Sequence, residues 1–223
     1  MHLTRAISLI GGLLCAASLP CARPAFSAEA APPEAIAAAR SGLPAFLEKI
    51  PPEGLGEYGF APGDRLDEAY PGKPYLLHEI PPAAIERFAS EDSVDSLLAP
   101  AGVWYFPVMM DGEARAILVV DRVDGGWVAV SLGQASLAGE LNAIRRQWPA
   151  SGGYDPRLIV SYQAAAYFFS VPQVGGRNLT RIQAPGRGAV PRAPARRYAA
   201  VSDLAATIEA LRPEVEENIR RAR

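Results

Sequence analysis

The 223-residue sequence predicts an α+β domain: a mainly antiparallel sheet of about five strands, with helices packed on one face and a C-terminal helix. Three observations carry this. Two Asp-Gly pairs, Asp111-Gly112 and Asp124-Gly125, separate β-prone runs, and that pattern marks tight hairpins because both residues tolerate positive φ. Leu137, Leu141, Ile144 and Trp148 recur at helical spacing. Val201, Leu204, Ile208, Leu211, Val215 and Ile219 form a second stripe near the end.

Taken in order, residues 1–30 read as a signal peptide. Arg5 precedes the uncharged stretch Ala6–Leu19, Pro20 breaks any helix, and small residues follow. Ala28-Glu29-Ala30 is the favoured cleavage pattern, with Ala25-Phe26-Ser27 the second choice. The apolar stretch is shorter than the roughly 20 residues that span a bilayer. An uncleaved anchor and a lipid-modified cysteine are the alternatives, but Leu14 and Pro20 precede Cys15 and Cys21 where lipid attachment wants a small residue. Cleavage after Ala30 removes both cysteines, so the mature chain has no disulfide, thiol nucleophile or thiolate metal site. The expected location is periplasmic or extracellular, with no transmembrane segment left after cleavage.

Residues 31–74 are expected as a helical and loop flank. Ile36, Leu43, Leu47 and Ile50 lie near helical spacing, and Gly42 and Pro44 predict one broken helix or two short ones. The Gly- and Pro-rich residues 51–74 read as loop with one helical turn at 64–70. Residues 75–183 form the expected α+β core. Tyr75–Ile80 is a strand, Pro82 opens a helix over 83–90, and 93–98 is a short helix. Val103–Met110, Ala114–Val123 and Trp127–Leu132 make a three-strand meander over 103–132. Within it Ile117-Leu118-Val119-Val120 is apolar on both faces, which suits a central strand. The 137–148 helix ends at Pro149 and Gly152-Gly153. Arg157–Gln163 and Tyr167–Val171 read as two further strands, with one long bent strand or a helix across 161–169 as alternatives. Residues 184–200 read as a basic Pro- and Gly-rich linker. Residues 201–223 are the C-terminal helix, capped by Ser202 and kinked or split at Pro213.

The whole chain carries a net charge of −2, and the mature part −3 once Arg5, Arg23 and Glu29 leave with the leader. That balance excludes a general nucleic-acid binder. His78 is the only histidine after the leader, and it alternates with Leu76 and Ile80 on one strand face. No G-x-S-x-G elbow supplies a serine for it, and one histidine without cysteine leaves only carboxylates for a metal. Asp111 and Asp124 occupy hairpin turns, while Glu91, Asp92 and Asp95 flank a short helix. Gly152-Gly153 and Gly175-Gly176 lack the context of a phosphate loop. No catalytic residue, metal ligand or cofactor is expected.

Two features remain as candidate binding residues. Trp104 and Tyr105 belong to an aromatic run whose outward side would form a ligand patch. Arg187, Arg192, Arg196 and Arg197 belong to the segment 173–197, which holds six arginines and no acid. Such an arm suits an anionic surface, or the acidic residues 31–100, which sum to −7.

Over residues 75–175 the order of elements is similar, at the level of topology, to small exported modules of the cystatin type; no motif carries the likeness. The leading expectation is an exported, non-enzymatic protein that binds another protein or an anionic envelope component. An exported hydrolase with a carboxylate or His78-centred site is the second. The topology likeness implies a third, a protease inhibitor or pro-segment-like module.

Overall fold

Residues 30–182, 198 and 200–221 are described by a computed structural model. The expected leader and the arm residues Arg187, Arg192, Arg196 and Arg197 lie outside the described residues. In chain order the elements are α1 (Pro33–Leu47), β1 (Tyr70–Pro71), β2 (Tyr75–Glu79), α2 (Pro82–Arg87), α3 (Val94–Leu97), β3 (Ala99–Met110), β4 (Glu113–Val123), β5 (Gly126–Gly133), α4 (Ala135–Gln147), β6 (Arg157–Ser161), β7 (Ala166–Ser170), β8 (Thr180–Arg181) and α5 (Leu204–Arg221). The strands form one open, mostly antiparallel sheet in the order β5-β4-β3-β2-β6-β7-β8, with β1 paired to β3. The pairing of β2 with β6 is parallel.

Both Asp-Gly turns form as the residues predict. Met110 pairs with Glu113 across Asp111-Gly112, and Val123 pairs with Gly126 across Asp124-Gly125. All four turn residues have positive φ: 52° and 73° in the first turn, 51° and 84° in the second. These values match the hairpin turn whose twist suits the flanking strands.

The sheet has eight strands rather than about five: the six runs named from the sequence become β2 to β7, and the two-residue β1 and β8 are too short to leave any alternation in the sequence. Helices cover both faces, which corrects the expected single covered face. Ala116, Leu118 and Val120 of β4 join Trp104, Phe106 and Val108 of β3 against Ala35, Ala39, Leu43 and Leu47 of α1. Ile117 and Val119 point the other way, with Tyr105, Leu158 and Val160, against Leu137, Leu141 and Ile144 of α4. The physical reason is visible in β4: a strand apolar on both faces has none to give to water, so each needs a helix. Further along the first face, Ile159 and Phe168 pack against Ile85 of α2, Val94 and Leu97 of α3 and Leu204, Ile208 and Leu211 of α5.

Three local expectations are also corrected. Helix α1 runs unbroken through Gly42 and Pro44. Pro44 lies in the last turn, where its missing donor costs one helical bond, and the buried residues Ala35, Ala39, Leu43 and Leu47 hold the helix down. Gly42 lies so close to β5 that a Cβ there would stand 2.5 Å from the Ala129 Cβ. Helix α5 likewise continues through Pro213 and buries Leu211 and Val215 on either side of it. Its first turn is served by Asp203, whose Oδ1 accepts the Ala206 N–H at 3.2 Å; the Ser202 N–H instead donates to Thr180 Oγ1 at 2.8 Å. Between β6 and β7, by contrast, the expectation of two strands holds: the chain makes a short turn, with Ala165 at φ 47°, and neither alternative, a bent strand or a helix, forms. Among the described residues no helix is long and apolar enough to cross a membrane.

Candidate functional site

The parallel strands β2 and β6 start side by side, each immediately after a proline, Pro74 and Pro156. Proline suits the start of a strand because no ladder donor is lost there. A cleft of about 420 Å³ opens at this end of the pair. Its charged and polar lining is Lys73, His78, Asp95, Arg145, Asp155, Arg157 and Gln173, set among Leu76, Leu98 and four prolines. That volume falls in the range of small-molecule sites.

The charged groups are delivered by stretches far apart in the chain. Helix α4 leaves the edge strand β5 and crosses the second face to reach β6, on the far side of β2. This crossover brings Arg145, in the last turn of α4, to the start of β2. The Arg145 guanidinium donates to the Lys73 carbonyl through Nη1 and to the Pro74 carbonyl through Nη2, the latter at 2.9 Å. It also lies 3.7 Å from the centroid of the Tyr75 ring, a close cation–π contact. Burial pulls its pKa below the usual arginine value, against the opposing influence of Tyr75 and Asp155. Burial pushes the Tyr75 phenol up, so Tyr75 stays neutral and donates to the Leu141 carbonyl at 3.3 Å.

The two acids are both held by cations. Asp95, on α3, accepts from Arg157 Nη1. Asp155 accepts from Lys73 Nζ at 3.0 Å, and its own N–H donates to Gln173 Oε1 at 3.1 Å. His78 shares the face of Leu76 and Ile80, as the alternation predicts, and is half-buried. It pairs with Pro100 just past a register shift between Leu76 and His78. A bulge facing a proline loosens the ladder beside the cleft.

Trp104 and Tyr105 lie elsewhere. Trp104 is 3% exposed and faces α1, whereas Tyr105 is 7% exposed and faces α4. Their rings belong to two separate halves of the core, and the Tyr105 hydroxyl meets the Tyr167 hydroxyl at 3.2 Å. The residues that do line the cleft come from five separated stretches. Of these only His78 and Asp95 draw attention in the sequence. The shared signal is small: a charged residue beside the proline that opens each of two strands, Lys73-Pro74 and Asp155-Pro156-Arg157.

Among the described residues no group of three or more His, Cys, Asp or Glu side chains is placed to hold a metal ion. No protein-family model, curated protein or solved structure matches the chain.

Proposed function

We propose that the chain is an exported, non-enzymatic binding protein that holds its ligand in the cleft between the starts of β2 and β6. Export rests on the leader pattern in residues 1–30. The observation that carries the binding reading is the pairing of the acids: Asp95 is tied to Arg157 and Asp155 to Lys73. Each carboxylate is engaged by a cation of the chain itself, so the two pairs act as fixed polar walls that shape the cleft around a ligand.

A second reading, an exported hydrolase, is favoured by one specific observation: His78 and two carboxylates line the same cleft. One experiment separates the two. Native mass spectrometry of the protein recovered from its own host is expected to show a bound ligand in the wild type and none in Arg157→Gln. If the protein carries no ligand but turns over an ester or glycoside substrate, and His78→Ala abolishes the turnover, the hydrolase stands and the binding reading falls.

A further inference from the structure

The charges of the cleft do not balance. Lys73 and Asp155 pair off, as do Arg157 and Asp95. Arg145 remains, and no carboxylate among the described residues comes within ion-pair distance of its guanidinium. Its two contacts with the Lys73 and Pro74 carbonyls and its stacking on Tyr75 fix its position without neutralising it. A guanidinium carries five N–H donors, and these two bonds leave others for a ligand. Asp155 acts on this half-buried cation only from beyond ion-pair distance, so an anion placed directly beside the guanidinium is favoured.

We infer that the cleft takes a monoanionic carboxylate ligand with a short apolar body, and that Arg145 holds the carboxylate. This rests on the binding reading above and names its ligand class. One unbalanced positive charge matches one carboxylate, whose planar pair of oxygens suits the guanidinium fork. The apolar body lies against Leu76, Leu98 and the prolines, which form the rest of the lining. The carboxylate belongs either to a small free acid or to the C-terminus of a peptide.

The test uses the full chain and two matched pairs of probes: hexanoate with hexanamide, and the dipeptide Ala-Val, N-acetylated so that it carries a single negative charge, with its C-terminal amide. Binding is read from backbone-amide shifts of Leu76, His78 and Gln173, which report on the cleft. The acids are expected to bind at least about tenfold more tightly than their amides. Preference for Ala-Val over hexanoate assigns the carboxylate to a peptide terminus, and the reverse to a free acid. Arg145→Gln is expected to abolish the acid–amide difference, while Arg146→Gln, whose side chain reaches Glu113 instead, leaves it intact. Because the acid–amide comparison is made on the wild type, it stands even if Arg145→Gln folds poorly. Equal binding of acids and amides overturns the carboxylate inference and leaves the binding reading in place. If neither acid shifts these amides but a neutral or cationic compound does, the inference again falls alone. If no compound of any charge shifts them, both fall.

Discussion

The Arg145 guanidinium stacks on the Tyr75 ring with 3.7 Å between charge centre and centroid. The end of α4 is thereby fastened to the first residue of β2. The same ring reaches back to α4 through its hydroxyl, which donates to the Leu141 carbonyl. Helix and strand are joined twice by one side chain, and the cleft is built on that joint.

Tyr75→Phe keeps the ring under Arg145 and loses one hydrogen bond, so it should cost about 1 kcal/mol of stability. Tyr75→Leu loses the aromatic face as well and should cost about 2–4 kcal/mol. Urea unfolding of the two variants checks the order. Equal stability of Tyr75→Leu and the wild type would show that the joint contributes nothing.

Gly42→Ala sets two effects against each other. Alanine favours a helix interior over glycine by about 1 kcal/mol. The new methyl, however, would lie 2.5 Å from the Ala129 Cβ, and overpacking of that kind costs about 1–3 kcal/mol. Steric cost should win, giving a less stable protein, and the added substitution Ala129→Gly should recover part of the loss. Thermal denaturation of the single and double variants reads both signs.

Asn178 ties the end of β7 to the turn that follows. Its Oδ1 accepts the Val171 N–H at 2.7 Å, and its Nδ2 donates to the Val171 carbonyl at 2.9 Å and to the Gly175 carbonyl. Asn178→Ala leaves buried backbone groups without partners and should cost about 2–4 kcal/mol. Asn178→Asp places a carboxylate against carbonyl oxygens, which raises its folded pKa. The penalty is then largest above that pKa and shrinks as pH falls through it. Unfolding midpoints of Asn178→Asp should approach those of the wild type toward acid pH, and a gap that widens there contradicts the account.

Arg181 and Glu214 join β8 to α5 through two bonds, 2.6 and 2.9 Å. Hydrogen bonding to Arg181 holds the Glu214 carboxyl below the ordinary glutamate range. A lowered folded pKa means stability that is present above about pH 5 and lost as pH falls through the folded value. Both side chains are over 40% exposed, so screening limits the pair to about 0.5 kcal/mol. The difference in urea midpoint between wild type and Glu214→Gln should narrow from about pH 6 to about pH 3 and also at high salt. A difference independent of both would remove the ion pair from the explanation.

The meander was legible because its signal is local. Asp111-Gly112 and Asp124-Gly125 specify their turns by backbone preference alone, and the runs beside them must pair once the turns form. The double covering of the sheet was half legible: Ile117–Val120 announces two apolar faces, but not which helices fill them. Gly42 illustrates the limit. Within its own helix it reads as a breaker, and only Ala129, 87 positions away, explains it. The cleft depends on still longer separations. Arg145 stands 70 positions from Tyr75, and Arg157 stands 62 from Asp95, so no window of sequence contains either pair.

Strand β2 lies between a neighbour close in the chain and one far from it. Leu76 faces Trp104, whereas Leu77 faces Leu158. As the polypeptide leaves the ribosome, β2 to β5 can zip together while the other edge of β2 is still bare. The parallel partner β6 starts 78 residues after β2 ends, beyond the whole meander and α4, a separation that adds little to the entropy of loop closure but slows folding. The parallel seam between β2 and β6 is therefore the sheet contact of β2 that local sequence does least to secure, and the one most open to misdirected pairing.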